Sequence, residues 1–162
     1  MTAIINKFED EAKKRGVVLE KSTDVKKVKT YGGKEIDLKQ VLFRTTMRLG
    51  DKGLVPASIL FQDDKDKTRI NYQITYNSVA QISDRSKHFE ILQKLNELNL
   101  SKTGYYHFVV HSDGRISLRN VGLTTIDVEA MLETFLFAGK LIGMLLSDLE
   151  NIEGIQPLPV TE

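Results

Sequence analysis

Three histidines, His88, His107 and His111, offer the first candidates for proton transfer or metal binding. His107 and His111 stand four apart in a run that reads as a strand. At about 3.3 Å per residue they lie about 13 Å apart, too far to share one metal ion. The same spacing on a helix would permit it. His88 opens a helix between Lys87 and Glu90 and reads as a surface residue. Asp63, Asp64 and Asp66 invite a calcium loop. A helix-loop-helix calcium site needs Gly at its sixth position and Glu at its twelfth, and counting from Asp64 these are Arg69 and Thr75. The acidic run is expected to be a solvated hairpin tip. Gly32–Gly33–Lys34 lacks the upstream Gly of a phosphate loop and has Glu35 where Ser or Thr should follow. Ser83 to Ser86 contains no hydrolase elbow, which flanks its serine with glycines. Glu133 is the carboxylate nearest an apolar setting, but Lys140 lies two turns up the same helix face. Tyr31, Tyr72, Tyr76, Tyr105 and Tyr106 could stack on bases. Tyr72 and Tyr76 share a strand face with Ile70 and Ile74, which favours core packing. These residues assemble no catalytic set, and no catalytic residue, metal or cofactor is assigned.

The composition narrows the classes further. The chain has no cysteine, which excludes disulfides, thiol chemistry and cysteine-bound metals and fits a cytoplasmic address. With 41% apolar and 28% charged residues it matches an ordinary globular domain. A net charge of +1 argues against a general nucleic-acid clamp. The charge is uneven: residues 1–40 carry ten basic and seven acidic side chains, residues 41–122 twelve and eight, and residues 123–162 only Lys140 against seven acids. An acidic end of this kind suits a basic surface, or simply water. The first fifteen residues have no continuous apolar core of the signal-peptide type. The most apolar segment, Met131 to Leu146, is broken by Glu133 and Lys140, so it is expected to be a buried helix and not a membrane span.

The elements that must position these residues follow from periodicity. Ile4, Ile5, Phe8 and Ala12 recur at helical spacing between Thr2 and Arg15, and Gly16 ends the run. Lys21 to Leu38 reads as irregular or weakly extended, with a turn at Gly32–Gly33. Val41–Leu49, Val55–Gln62 and Arg69–Ile82 read as three strands joined by short polar links, a β-meander. His88–Leu98 reads as a helix. Tyr105–Val110 and Arg115–Asn120 flank Asp113–Gly114, a strong hairpin signal. A long helix follows, capped at Thr124 or Thr125 and running to about Asn151. The predicted order is α-β-β-β-α-β-β-α: an α+β fold with an antiparallel sheet and helices on one face. One domain over residues 1–154 is expected, with 155–162 as a loose tail.

The last helix stands out. Met131, Phe135, Ala138, Ile142, Leu145, Leu149 and Ile152 form one stripe on its wheel, and Leu132, Leu136, Gly139, Gly143 and Leu146 a second. Together they span about 200°, whereas a helix on one sheet face needs a little over 100°. Phe137, Leu141 and Met144 add apolar area at the margin. Gly139 and Gly143 each cost about 1 kcal/mol in a helix interior, which close approach of another backbone would offset. That neighbour is the chain's own sheet, its first helix or a second copy. Phe137, Gly139, Leu141, Gly143 and Met144 are therefore the candidate partner-binding residues.

Over residues 86–152 the chain also resembles a known family. The carrying features are Leu95–Asn96–Glu97–Leu98–Asn99 at the end of the middle helix, the strand Tyr105–Val110, the Asp113–Gly114 turn, the strand Arg115–Asn120 and the long apolar helix. The meander 41–82 is compatible. The pattern is similar to the type III secretion chaperone-like fold, and within it the YbjN-like family of bacterial sensory-transduction regulators. The resemblance implies a small α+β protein, a homodimer that binds another polypeptide, with no shared catalytic motif. The expectation is a non-enzymatic, cytoplasmic protein-binding module with no nucleic-acid or membrane partner. The competing expectation is a small-ligand protein or enzyme whose site is assembled from distant residues, such as His107, His111 and the tyrosines.

Overall fold

A computed structural model describes residues 2–63 and 67–157. Asp64 and Asp66 of the acidic turn, and residues 158–162 of the expected tail, lie outside the described residues. The elements run α1 (Ala3–Lys14), β1 (Glu20–Lys29), β2 (Glu35–Arg48), β3 (Leu54–Gln62), β4 (Ile70–Ile82), α2 (His88–Ser101), β5 (His107–Val110), β6 (Arg115–Thr124), α3 (Glu129–Glu150) and β7 (Ile155–Pro157). The fold is α+β with an antiparallel sheet. Among the described residues its strands are hydrogen-bonded in the order β1-β2-β3-β4-β6-β5, and β7 pairs with β4. The meander and the terminal hairpin therefore form.

Two elements differ from the sequence expectation. Residues 21–38, expected to be irregular or weakly extended, form regular strand on both sides of the Gly32–Gly33 turn: β1 pairs with β2 from Glu20↔Arg44 to Lys29↔Glu35. The turn closes through Thr30 N–H to Lys34 O at 2.8 Å and Gly33 N–H to Thr30 O at 2.8 Å, with Gly33 at φ 77°. Nearly every β1 residue is exposed. A strand that buries neither face has no reason to alternate, so periodicity cannot reveal it. The second difference is β7. The tail expected to be loose from residue 155 instead begins with a strand, registered Ala80↔Pro157 to Ile82↔Ile155, and Ile155 is buried.

The chain divides into two compact units, each a set of antiparallel strands with helix packed on one face. The first comprises Met1–Thr45, Ser58–Ile74 and Val121–Glu133. Its core is built on three rings. Phe8 of α1 sits 5.5 Å from Phe43 of β2 and 5.1 Å from Phe61 of β3, and Phe43 and Phe61 are 6.0 Å apart. All three are fully buried, and edge-to-face pairs of this kind add about 0.5–1.5 kcal/mol beyond burial. Thr2 caps α1 through its hydroxyl to Ile5 N–H. Asp63 accepts the Thr2 N–H at 2.8 Å and pairs with Lys39 at 3.2 Å. Arg15, just past α1, holds both Glu129 and Glu133.

The second unit comprises Thr46–Ala57, Thr75–Asn120 and Thr134–Glu162. Tyr76 of β4 lies between Tyr106 at 6.0 Å and Phe135 at 5.9 Å, and its hydroxyl donates to the Phe135 carbonyl. Tyr106 donates to Thr134 O at 3.0 Å. The Asn99 side chain accepts the Phe108 N–H at 2.6 Å, which ties the end of α2 to β5. The Asp113–Gly114 turn closes by Gly114 N–H to His111 O at 2.9 Å, with Gly114 at φ 87°. Thr124, one of the two expected caps of the long helix, instead ends β6. Asp127 accepts the Glu129 N–H at 3.3 Å, so α3 begins later than its sequence suggests.

Candidate functional site

The apolar arc of α3 is mostly covered. Met131, Leu132, Phe135, Ala138, Ile142, Leu145, Leu146 and Leu149 are buried, and Leu141 is only 7% exposed. Leu136 and Ile152 are half-buried, and the large apolar side chains fully at the surface are Phe137 at 57% and Met144 at 71%. They are seven residues apart, two turns on one helix face, with Leu141 between them and Lys140 alongside.

The glycine pair lies against the chain's own strand end. A Cβ on Gly139 would sit 3.4 Å from the Arg48 carbonyl and 3.5 Å from Met47, and one on Gly143 would sit 3.9 Å from the Leu49 carbonyl. These are ordinary van der Waals distances, so the helix meets the end of β2 with room for a Cβ at either position. Lys52 fastens the contact by donating to Gly143 O and to Ser147 Oγ, both at 3.0 Å. An open groove of about 530 Å³ remains beside this contact. The glycines floor it, Met47, Leu136 and Met144 supply apolar wall, and Arg48, Lys52 and Lys140 stand around it. Of the five candidate partner-binding residues, Gly139, Gly143 and Met144 line this groove and Phe137 is exposed. Leu141 is buried between the exposed pair.

Lys52 and Met47 were invisible as site residues in the sequence. Their placement depends on the turn after β2 folding against α3, and no local pattern encodes that contact. The helix is also long and apolar enough to cross a membrane by length and composition, with mean hydropathy 1.5, while 50% of that window is buried inside the protein. The core helix of a soluble protein passes the same test.

The other candidate residues are dispersed or committed. His107 is half-buried opposite Arg119. Burial, and then the Arg119 charge, push its pKa below the ordinary value. His111 lies just past β5, with Nε2 2.9 Å from Ser117 Oγ; Ser117 Oγ also accepts the Ser78 N–H at 3.1 Å. Ser78 has φ 54°, an uncommon conformation for a residue with a side chain, and this hydroxyl satisfies its amide. His88 and His111 reach one cleft, and His107 does not line it. Burial drives the Tyr76 hydroxyl far above its ordinary pKa, with Tyr106 adding to the effect. Tyr72 is half-buried and lies over Gly122, whereas Tyr31 and Tyr105 are exposed. Glu133 pairs with Arg15 rather than with Lys140. Among the described residues no group of three or more His, Asp or Glu is placed to hold a metal ion.

No protein-family model matches the chain, and no curated protein sequence matches it.

Proposed function

We propose that this chain is a non-enzymatic protein-binding module of the bacterial cytoplasm, working as a homodimer of the type III secretion chaperone-like, YbjN-like kind. The observation that carries the reading is the exposure of Phe137 and Met144 on a helix whose remaining apolar face is mostly covered. Two large side chains two turns apart, beside an apolar groove with a basic rim, form a contiguous patch of the sort that marks an interaction surface. Met144 belongs to both the patch and the groove, and methionine repacks readily against differing partners. A second copy of α3 brings its own acidic Glu150, which complements the basic rim of Arg48 and Lys140. Phe137, Leu141 and Met144 form the apolar centre of this seam, and Gly139 and Gly143 keep its groove open.

Size-exclusion chromatography with light scattering tests the dimer. The expected mass is twice 18.4 kDa, and the Phe137→Asp/Met144→Asp variant is expected to fall to the single-chain mass with unchanged circular dichroism and Tm. A wild-type protein that stays at 18.4 kDa at micromolar concentration removes the homodimer. A double variant that remains dimeric moves the seam off α3.

A further inference from the structure

A second concave site lies at the other end of α2 from Asn99. The first turn of α2 and the 3-10 turn before it (Arg85–Lys87) face the β5–β6 turn across an open cleft of about 660 Å³. Ligand pockets typically measure roughly 300–1,000 Å³. Three basic side chains converge on this cleft, Arg85, His88 and His111, and its apolar lining comes from Ile82, Leu92 and Val110.

The cleft is braced. Ile82 N–H donates to Gly114 O at 2.9 Å, which joins the end of β4 to the hairpin turn. The Ser83 N–H donates to Gly154 O at 2.8 Å, which fixes the segment leading to Arg85. His111 is oriented by its 2.9 Å contact to Ser117.

The neighbouring acids are already engaged. Asp84 accepts from the Ser86 N–H at 2.9 Å and from its hydroxyl at 2.6 Å, and Asp113 pairs with Arg115 at 2.7 Å. Lys87 pairs with Glu153. The Arg85 and His88 side chains have no hydrogen-bond or ion-pair partner among the described residues. The cleft therefore presents the unpartnered Arg85 and His88 donors above apolar walls.

We propose that this cleft binds a small organic anion, a carboxylate carried on a short aliphatic body. Arg85 supplies the planar fork that matches a carboxylate in two parallel hydrogen bonds. His88 and His111 supply further N–H donors, and Ile82, Leu92 and Val110 cover the aliphatic part. Inorganic phosphate suits the site less, since it would leave that apolar wall against water.

Hexanoate is the probe, followed by methyl NMR on the full chain, with hexanol and inorganic phosphate as comparators. Hexanoate is expected to shift the Ile82, Leu92 and Val110 methyls saturably, and both comparators to bind far more weakly. Arg85→Gln, at an exposed position, is expected to weaken hexanoate about tenfold or more while the remaining methyl spectrum is unchanged. His88→Gln is expected to weaken it by a smaller factor. Hexanol binding as tightly as hexanoate would reduce the site to a greasy cleft without anion recognition, and equal binding of phosphate would reduce it to a basic patch. Either result overturns the proposal, as does hexanoate leaving those three methyls unmoved. The Phe137→Asp/Met144→Asp variant is expected to bind hexanoate normally, so failure of this site and failure of the α3 seam are separate results.

Discussion

At the scale of single residues, Asp63 is the most constrained charge. Its side chain is fully buried. Burial pushes the carboxyl up, but the Thr2 amide and the Lys39 ammonium more than offset this and hold it below its ordinary 3.8. A carboxylate with a depressed folded pKa contributes stability that is complete above its unfolded pKa and disappears as pH falls through the folded value. Acid titration of the folded protein is therefore expected to lose a stabilising contribution below about pH 4, and Asp63→Asn is expected to lack that limb of the Tm-versus-pH curve. Asp63→Ala also strands the Thr2 N–H and is expected to cost about 1–3 kcal/mol in urea unfolding. Gly122 is constrained by packing instead. A Cβ there would lie 2.7 Å from the Tyr72 hydroxyl and 2.8 Å from its ring. Gly122→Ala is expected to cost about 1–3 kcal/mol through overpacking. In a Tyr72→Ala background that cost should vanish, and a cost that persists would place its origin in the β6 backbone.

At the scale of elements, β1 shows how an exposed edge is kept from pairing with strangers. Lys26, Lys27 and Lys29 stud the strand, and the register sets Lys27 opposite Asp37 and Lys29 opposite Glu35. Lys27 and Lys29 share a strand face with Lys21, whose ammonium lies 5.5 Å from the centroid of the buried Phe43 ring. Exposed charges along an edge strand block the addition of another strand. Lys27→Val/Lys29→Val is expected to leave the unfolding free energy within about 0.5 kcal/mol of wild type and to raise concentration-dependent light scattering. Unchanged scattering would mean that the turn or twist, not charge, guards this edge. β5 is guarded differently: Asn99 occupies the Phe108 N–H. The Leu95–Asn99 run, which carried the family resemblance, thus includes a residue with a definite structural task.

At the scale of the whole molecule, the expected α+β class was legible because most elements bury one face. The alternation of Ile70, Ile74 and Tyr76 and the helical spacing of Ile4, Ile5, Phe8 and Ala12 each record that burial, and all seven are buried. β1 left no such record because it buries almost nothing, and β7 is too short to show a period. The candidate site was legible only in part. The wheel marked α3 as unusually apolar, but it could not say which part of the arc would be covered. The chain shelters nearly all of it and leaves Phe137 and Met144. The cleft at Arg85, His88 and His111 was not visible at all, since its members come from segments that only the fold brings together.

The sequence by itself determined the sign and spacing of side chains along each segment, and hence the strands with a buried face, the three helices and the Asp113–Gly114 turn. Those choices rest on local geometry, in which a period of two or 3.6 residues selects the face to be hidden from water. Only the tertiary structure decided what each face meets: that Gly139 lies against Arg48, that Asn99 reaches Phe108, and that two histidines share a cleft while the third faces Arg119. Contacts between segments depend on how the elements fold back on one another, and a one-dimensional pattern does not carry that information.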